Sequence, residues 1–218
     1  MNPGTAAGFV LAGGQSSRMG RDKALAAFAG RTLTESALGI LRSAGIEPQI
    51  AGSRSDLAQF APVIADHHAG QGPLSGICAA LESTEATHAV LITVDQPLIP
   101  SSLIAYLLHH AQVTHCRITL ASLCGEPQTF PAVLDRAALP SLQAELASGR
   151  RACWSAFRAA AGPDGISAVP VELLTQAGQT ADPRQLPPVR WFLNANTPDE
   201  LARIETLACA TRIMARIP

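Results

Sequence analysis

The feature that most constrains this chain is a recurring pair of segments: a short apolar run, then a longer stretch with helical spacing. The clearest run is H-A-V-L-I-T-V, His88 to Val94, rich in β-branched residues and suited to a buried strand. Gly8-Phe9-Val10-Leu11-Ala12 reads the same way, as do the stretches Pro48 to Ala51, Val63 to Ala65 and Arg117 to Ser122. Between them, Arg31 to Ala44 reads as a helix. It places Leu33, Ala37, Leu38, Leu41 and Ala44 on one face, and Gly45 is its stop. Leu74 to Glu82 and Ser101 to His110 are further helices. Such alternation predicts an α/β protein with a mostly parallel sheet covered on both faces. Ligands in these sheets bind beyond the carboxyl ends of the strands. Two ends stand out, the one entering Gly13 and the one entering Asp95.

The second half is less regular. Asp135 to Ser148 and Arg150 to Ala161 read as helices. Thr175 to Pro188, rich in Gln, Gly, Ala, Pro and Thr, reads as a surface loop with the composition of a mobile one. Trp191-Phe192-Leu193 suggests a last strand. Thr197-Pro198-Asp199-Glu200 is a helix start, with Thr as N-cap, Pro at the first helical position and Glu closing a capping box. No repeat or boundary interrupts the pattern, so one domain over residues 1–218 is expected.

Only 15% of residues are charged and the net charge is -1, which argues against a nucleic-acid partner. A small anion needs only a few placed cations. The five cysteines, Cys78, Cys116, Cys124, Cys153 and Cys209, never form C-x-x-C. Buried free thiols in a reducing compartment are expected, rather than a disulfide framework or a zinc site. The first residues lack a basic, apolar leader, and no run approaches a membrane span. A soluble cytoplasmic protein without a membrane partner is the expectation.

The segment L-A-G-G-Q-S-S-R-M-G-R-D-K, Leu11 to Lys23, follows the first strand. It is neither a Walker A loop nor G-x-G-x-x-G. Its chemistry is still that of a phosphate cradle. Gly13 and Gly14 let the backbone turn and bring its N–H groups near an anion. Ser16 and Ser17 add hydroxyl donors, and Arg18 and Lys23 add the charge a triphosphate needs. The alternative is a glycine-rich turn with exposed basic residues; the place after the first strand of an α/β chain favours the cradle.

Asp95 follows the best strand, so its carboxylate points into the ligand crevice. Magnesium takes one or two carboxylates plus phosphate oxygens and waters. Asp95 suits that role, or it caps the turn before Pro97. Asp66 ends another strand, where it either binds a sugar hydroxyl or stabilises a loop. His67 and His68 diverge on an extended chain, and a shared metal is not expected there. His109 and His110 end a helix, where positive charge is favourable. The turn G-Q-G-P-L-S-G, Gly70 to Gly76, enters a helix and either touches the ligand or only shapes the turn.

Four motifs together resemble one family. L-A-G-G-x-S-x-R-M-G-x-D-K, then G-P-L-S-G-I, V-D-Q-P-L-I-P and N-A-N-T-P-D-E-L look like the molybdenum cofactor guanylyltransferase family, MobA, in that order. They reach from Leu11 to Leu201. The resemblance implies a Rossmann-like three-layer sandwich and the reaction of GTP with molybdopterin, with Mg2+ as cofactor. Leu11, Ala12, Gly13 and Gly14 match the nucleotide-binding loop, and Lys23 the triphosphate-binding lysine. Asp66 matches a guanosine-binding aspartate, and Asp95 the aspartate that holds magnesium and touches the nucleotide. Asn194 and Asn196 match paired asparagines near the pterin or metal end. Arg18, Lys23 and Asp95 are then the catalytic set. Arg150 and Arg151 match a basic pair that could hold the acceptor's phosphate; two solvated arginines at a helix start are the other reading. Other proteins of molybdenum cofactor synthesis are implied as partners.

Several positions depart from the family. Ala51 stands where members can carry a nucleotide-contacting Asn. The usual Asp-Thr-Pro is Asp95-Gln96-Pro97, and the usual His-Pro-Thr stretch reads Pro127-Gln128-Thr129. The loop before Trp191 is longer than expected. These changes fall mainly on the acceptor side. Two other readings stand: a related enzyme with another base or acceptor, such as a molybdopterin cytidylyltransferase, and a non-catalytic GTP-binding protein. Gly13 favours guanine, because the cytidylyltransferases tend to read L-A-A-G there.

Overall fold

The computed structural model describes residues 6–13, 22–66, 70–163 and 165–214. Along the chain, β1 (Ala6–Leu11) leads to a hairpin of β2 (Ala27–Phe28) and β3 (Arg31–Thr32), then to helix α1 (Leu33–Ser43). Next come β4 (Pro48–Ala51), β5 (Val63–Ile64), α2 (Pro73–Glu82), β6 (His88–Thr93) and α3 (Ser101–Thr114). β7 (Ile118–Leu123), β8 (Glu126–Asp135), α4 (Leu139–Ala147) and α5 (Cys153–Ala160) follow. The chain continues through β9 (Ile166–Pro170), α6 (Val171–Gln176), α7 (Pro188–Trp191) and α8 (Pro198–Met214).

Seven strands form one sheet in the order β5-β4-β1-β6-β8-β7-β9. All its pairings are parallel except those of β8, which runs antiparallel to β6 and β7. Successive side chains of a strand point to opposite faces. Val10, Val90 and Ile92 therefore pack with Leu38 and Leu41 of α1 and Leu103 and Leu107 of α3. Phe9, Leu11 and Leu91 pack with Leu74 and Ile77 of α2, Leu142 of α4 and Phe157 of α5. Burial on both faces explains why the central strands read as unbroken apolar runs. The result is the expected three-layer α/β sandwich.

Local chemistry sets the helix ends. α1 begins at a capping box: Glu35 N–H donates to Thr32 Oγ1 at 3.1 Å, and Thr32 N–H donates to Glu35 Oε2 at 2.7 Å. α8 repeats it as the sequence predicts, with Glu200 N–H donating to Thr197 Oγ1 at 3.2 Å and Thr197 N–H to Glu200 Oε2 at 3.0 Å. Glu200 Oε2 also accepts from Asn196 N–H at 2.8 Å, which ties the cap to the N-A-N segment.

Two expectations need correction, and two strands were not read from the sequence. Trp191-Phe192-Leu193 is not a strand. Pro188 starts the short helix α7, and the buried Trp191 donates from Nε1 to the Leu186 carbonyl at 2.9 Å. The edge strand is β9 instead, whose I-S-A-V-P has too little alternation to read as one. The longest strand, β8, was hidden by Pro127 and Pro131. The sheet accommodates Pro131 because the register jumps from the pair Leu120–Ala132 to Ala121–Gln128, leaving it outside the ladder. The segment before α7 is not a loose surface loop either, since Thr180 and Asp182 are buried.

Candidate active site

The carboxyl end of β6, the segment before β2 and the loop before α8 converge on three side chains. Lys23 Nζ donates to Asp95 Oδ2 at 3.0 Å and to Asn196 Oδ1 at 2.7 Å. Thr93, the last residue of β6, donates from Oγ1 to Asp95 Oδ1 at 2.5 Å. The Asp95 carbonyl accepts from Ala195 N–H at 2.8 Å, so backbone and side chains together join β6 to the α8 cap. The Lys23 and Asp95 side chains are 15% and 24% exposed. The pair is only partly exposed, and Lys23 has a second partner in Asn196. It is suited to exchanging partners with an incoming anion.

Lys23 is set by its neighbours. Ala24 and Ala26 are buried, and the Ala24 carbonyl accepts from both the N–H and the Oγ1 of Thr34 in the first turn of α1. Asp22 Oδ1 accepts from Ala24 N–H at 3.0 Å. Arg54 Nη2 then grips Asp22 Oδ2 at 2.5 Å and Asp56 Oδ2 at 2.7 Å. Hydrogen bonds donated to Asp56 and then to Asp22 raise the Arg54 pKa further, so the arginine is a fixed positive charge next to the Asp22–Lys23 segment.

The first strand ends in a close backbone contact. Leu11 and Ala12 are buried, and Ala12 N–H donates to the Ala51 carbonyl at 3.3 Å. Gly52 has φ +143, and a Cβ there would stand 3.2 Å from the Gly13 nitrogen. Only glycine suits both conditions. Gly52→Ala is expected to cost about 1–3 kcal/mol of stability. It should also displace the Gly13 backbone, which a Cβ at position 52 would crowd. Thermal melts of the variant beside the wild type check the loss of stability. Ala51 is itself buried against α2. The exposed side chain from this strand end is Ser53, whose Oγ donates to the Asp66 carbonyl at 3.1 Å.

Asp66 Oδ2 accepts from Ser75 Oγ at 2.7 Å, and that hydroxyl lies 2.7 Å from the Gly72 carbonyl. The aspartate thus fastens the G-Q-G-P-L-S-G turn to the end of β5 from within the crevice. Gly72, with φ +87, opens α2. Asn194 is exposed two residues before Asn196. Gly14, Ser16, Ser17, Arg18, His67 and His68 lie outside the described residues.

Other candidates separate from this centre. Arg150 pairs with Glu145 at 2.5 Å, while Arg151 is exposed beside Gly72. His109 and His110 fall inside α3, which runs on to Thr114. His110 stacks on Tyr106, with Nε2 2.9 Å from Ser167 Oγ, and burial lowers its pKa, so it is no terminal cation. All five cysteines are free, but only Cys78 and Cys153 are buried, which pushes their pKa values up to about 12 and about 11. Cys124 and Cys209 are exposed, against expectation. Among the described residues, no cluster of three or more His, Cys, Asp or Glu could hold a metal by itself. None of their helices is long and apolar enough to cross a membrane. Thr93 and Arg54 escaped the sequence reading, because a lone hydroxyl or arginine near a strand end carries no pattern, and Ser75 was read only as part of the G-P-L-S-G turn.

Comparisons with known proteins identify the family and the fold. Residues 8–165 match the model of the MobA-like NTP transferase domain. A molybdenum cofactor guanylyltransferase of Rhizobium meliloti is 33% identical over 90% of this chain and 88% of its own. One from Xanthomonas euvesicatoria is 42% identical, but the match spans 48% of this chain and about half, 54%, of that relative. The crystal structure of molybdopterin-guanine dinucleotide biosynthesis protein A from Archaeoglobus fulgidus superposes with a TM-score of 0.73 at 22% identity. It covers 94% of this chain and 99% of that one. The family model over residues 8–165 and the full-length relative lead to one assignment: the chain belongs to the MobA-like NTP transferase family.

Proposed function

We propose that this chain transfers GMP from GTP to the terminal phosphate of molybdopterin or Mo-molybdopterin, forming the guanine dinucleotide cofactor and releasing pyrophosphate. The observation that carries the reading is the meeting of Lys23, Asp95 and Asn196 beyond β6. Relatives that bear the guanylyltransferase name support the choice of substrates. Residues 1–218 would act as one domain, because α8 and its cap complete a site begun at β1. A GTP-consuming reaction of this kind would suit a cytoplasmic protein.

Asp95 presents one carboxylate, and Asn196 an amide oxygen beside it. Mg2+ shared with a triphosphate asks for no more, since phosphate oxygens and water complete its shell. Asp95 and Asn196 would hold the ion, which would supply charge neutralisation at the phosphates. The acceptor phosphate is already anionic near neutral pH, so no general base and no covalent enzyme intermediate are required. Lys23 and Arg18 would offset charge on the leaving pyrophosphate. Asp66 would meet the ribose. Rate enhancement then comes from positioning and charge compensation.

Gly13 bears on the base. It is exposed, and a Cβ built on it meets nothing within 4 Å. Gly13→Ala should therefore fold as the wild type does, yet lose about tenfold in its preference for GTP over CTP, by analogy with small steric changes in a binding pocket. Incubation with Mg2+, molybdopterin and either nucleotide, followed by mass analysis of the product, tests both claims. A cytosine dinucleotide product from the wild type would reverse the base assignment. GTP binding without pyrophosphate release would point to a non-catalytic binding protein.

A further inference from the structure

The segment between α6 and α7 is tied to the loop that carries Asp95. Asp182 has a fully buried side chain and pairs with Arg184 Nε at 2.8 Å. Its other oxygen accepts from Leu186 N–H at 3.1 Å. A buried carboxylate without such partners would be costly, so this pair holds Arg184 in place. From there the guanidinium reaches across the fold. Nη1 donates to the Pro97 carbonyl at 3.3 Å, and Nη2 donates to the Leu98 carbonyl. A planar fork suits two successive carbonyls in a way an ammonium does not. Nearby, Ala181 N–H and the Ser102 hydroxyl bond to each other, at 3.1 Å from N to Oγ, and that hydroxyl donates to the Ala181 carbonyl at 2.7 Å.

Two ties hold the Asp95 loop, one at Asp95 itself and one just after it. Ala195 N–H holds the Asp95 carbonyl, and Arg184 holds the carbonyls two and three residues later. Both ties come from the stretch that follows α6. We infer that Arg184, locked by Asp182, is a positioning residue that aims the Asp95 carboxylate at the metal–triphosphate. The inference rests on the proposed metal role of Asp95.

The test uses the full chain with Mn2+ and a non-hydrolysable GTP analogue, read by calorimetry, beside the Mg2+ dependence of GMP transfer. Arg184→Ala should weaken Mn2+–nucleotide binding and raise the Mg2+ midpoint by about tenfold or more, the usual effect of removing support behind a ligand. Arg184→Lys keeps the charge beside Asp182 but cannot span two carbonyls, so it should fall between. Ser102→Ala removes a neighbouring tie without touching either carbonyl and should leave the metal midpoint unchanged. A purely structural role would lower the melting temperature and the active fraction but leave the midpoint where it was. Folded Arg184→Ala with the wild-type midpoint overturns the inference. If that variant does not fold, Arg184→Lys with the wild-type midpoint overturns it. If Asp95→Ala also binds Mn2+–nucleotide as the wild type does, the metal reading of Asp95 fails first, and this inference falls with it.

Discussion

Asp95→Ala should lose GMP transfer by about 10²–10³-fold, the range seen when one preorganised electrostatic contact to a transition state is removed, while its melting temperature stays close to that of the wild type. The reasoning starts from exposure. The Asp95 side chain is 24% exposed, and Lys23 has a second partner in Asn196, so the truncation does not leave the lysine unpaired. Its backbone is held independently, through its carbonyl on Ala195 N–H. The truncation therefore removes the carboxylate without moving the strand end. Three groups lose a partner: Lys23 Nζ, Thr93 Oγ1 and the proposed magnesium ion. Lys23 keeps Asn196, so GTP should still bind, held by the charge of the triphosphate. The measurement is pyrophosphate release with GTP, molybdopterin and Mg2+, beside a thermal melt. Full activity at low Mg2+ would remove Asp95 from the mechanism. Asp95→Asn sharpens the test. It keeps the hydrogen bonding to Thr93 but not the negative charge, so it should be nearly as inactive if charge matters.

The parts of this centre differ in how visible they are in the sequence. The strand ends are visible because burial on both faces leaves an apolar run, and the residue just past the run is then marked. Gly13 and Asp95 stand out for that reason, and the α8 cap shows itself through Thr197 and Glu200. The strand β8 is not visible, because Pro127 and Pro131 argue against a central strand, and only the register jump reconciles Pro131 with the sheet. The contact between Lys23 and Asn196 spans 173 residues, and no local pattern encodes it; family resemblance alone pointed to Asn196. Gly52 reads as one glycine among 17 until its φ of +143 and its approach to Gly13 are known. Arg184 is hidden for another reason. Its partners on the Asp95 loop are backbone carbonyls, which have no residue identity to read.

Lys23→Met should cut transfer by about 10²-fold, the low end for loss of one such contact, and raise the GTP concentration needed for half-maximal rate. Methionine fills the volume of the lysine stem, which is largely buried, so Ala24 and Ala26 should keep their places against α1. What disappears is a cation 3.0 Å from Asp95 and 2.7 Å from Asn196. The Asp95 carboxylate then faces the triphosphate without a counter-charge, and more Mg2+ should be needed to bring the two together. Lys23→Arg restores charge but not the compact ammonium, so it should recover GTP affinity better than rate. The decisive number is the double variant, because residues in direct contact do not lose activity additively. If Lys23 and Asp95 act as one unit on the triphosphate and its ion, Lys23→Met with Asp95→Ala should be little worse than Asp95→Ala alone. Losses that simply multiply would mean that the two residues act at separate places, and that the ion pair seen between them is incidental to catalysis.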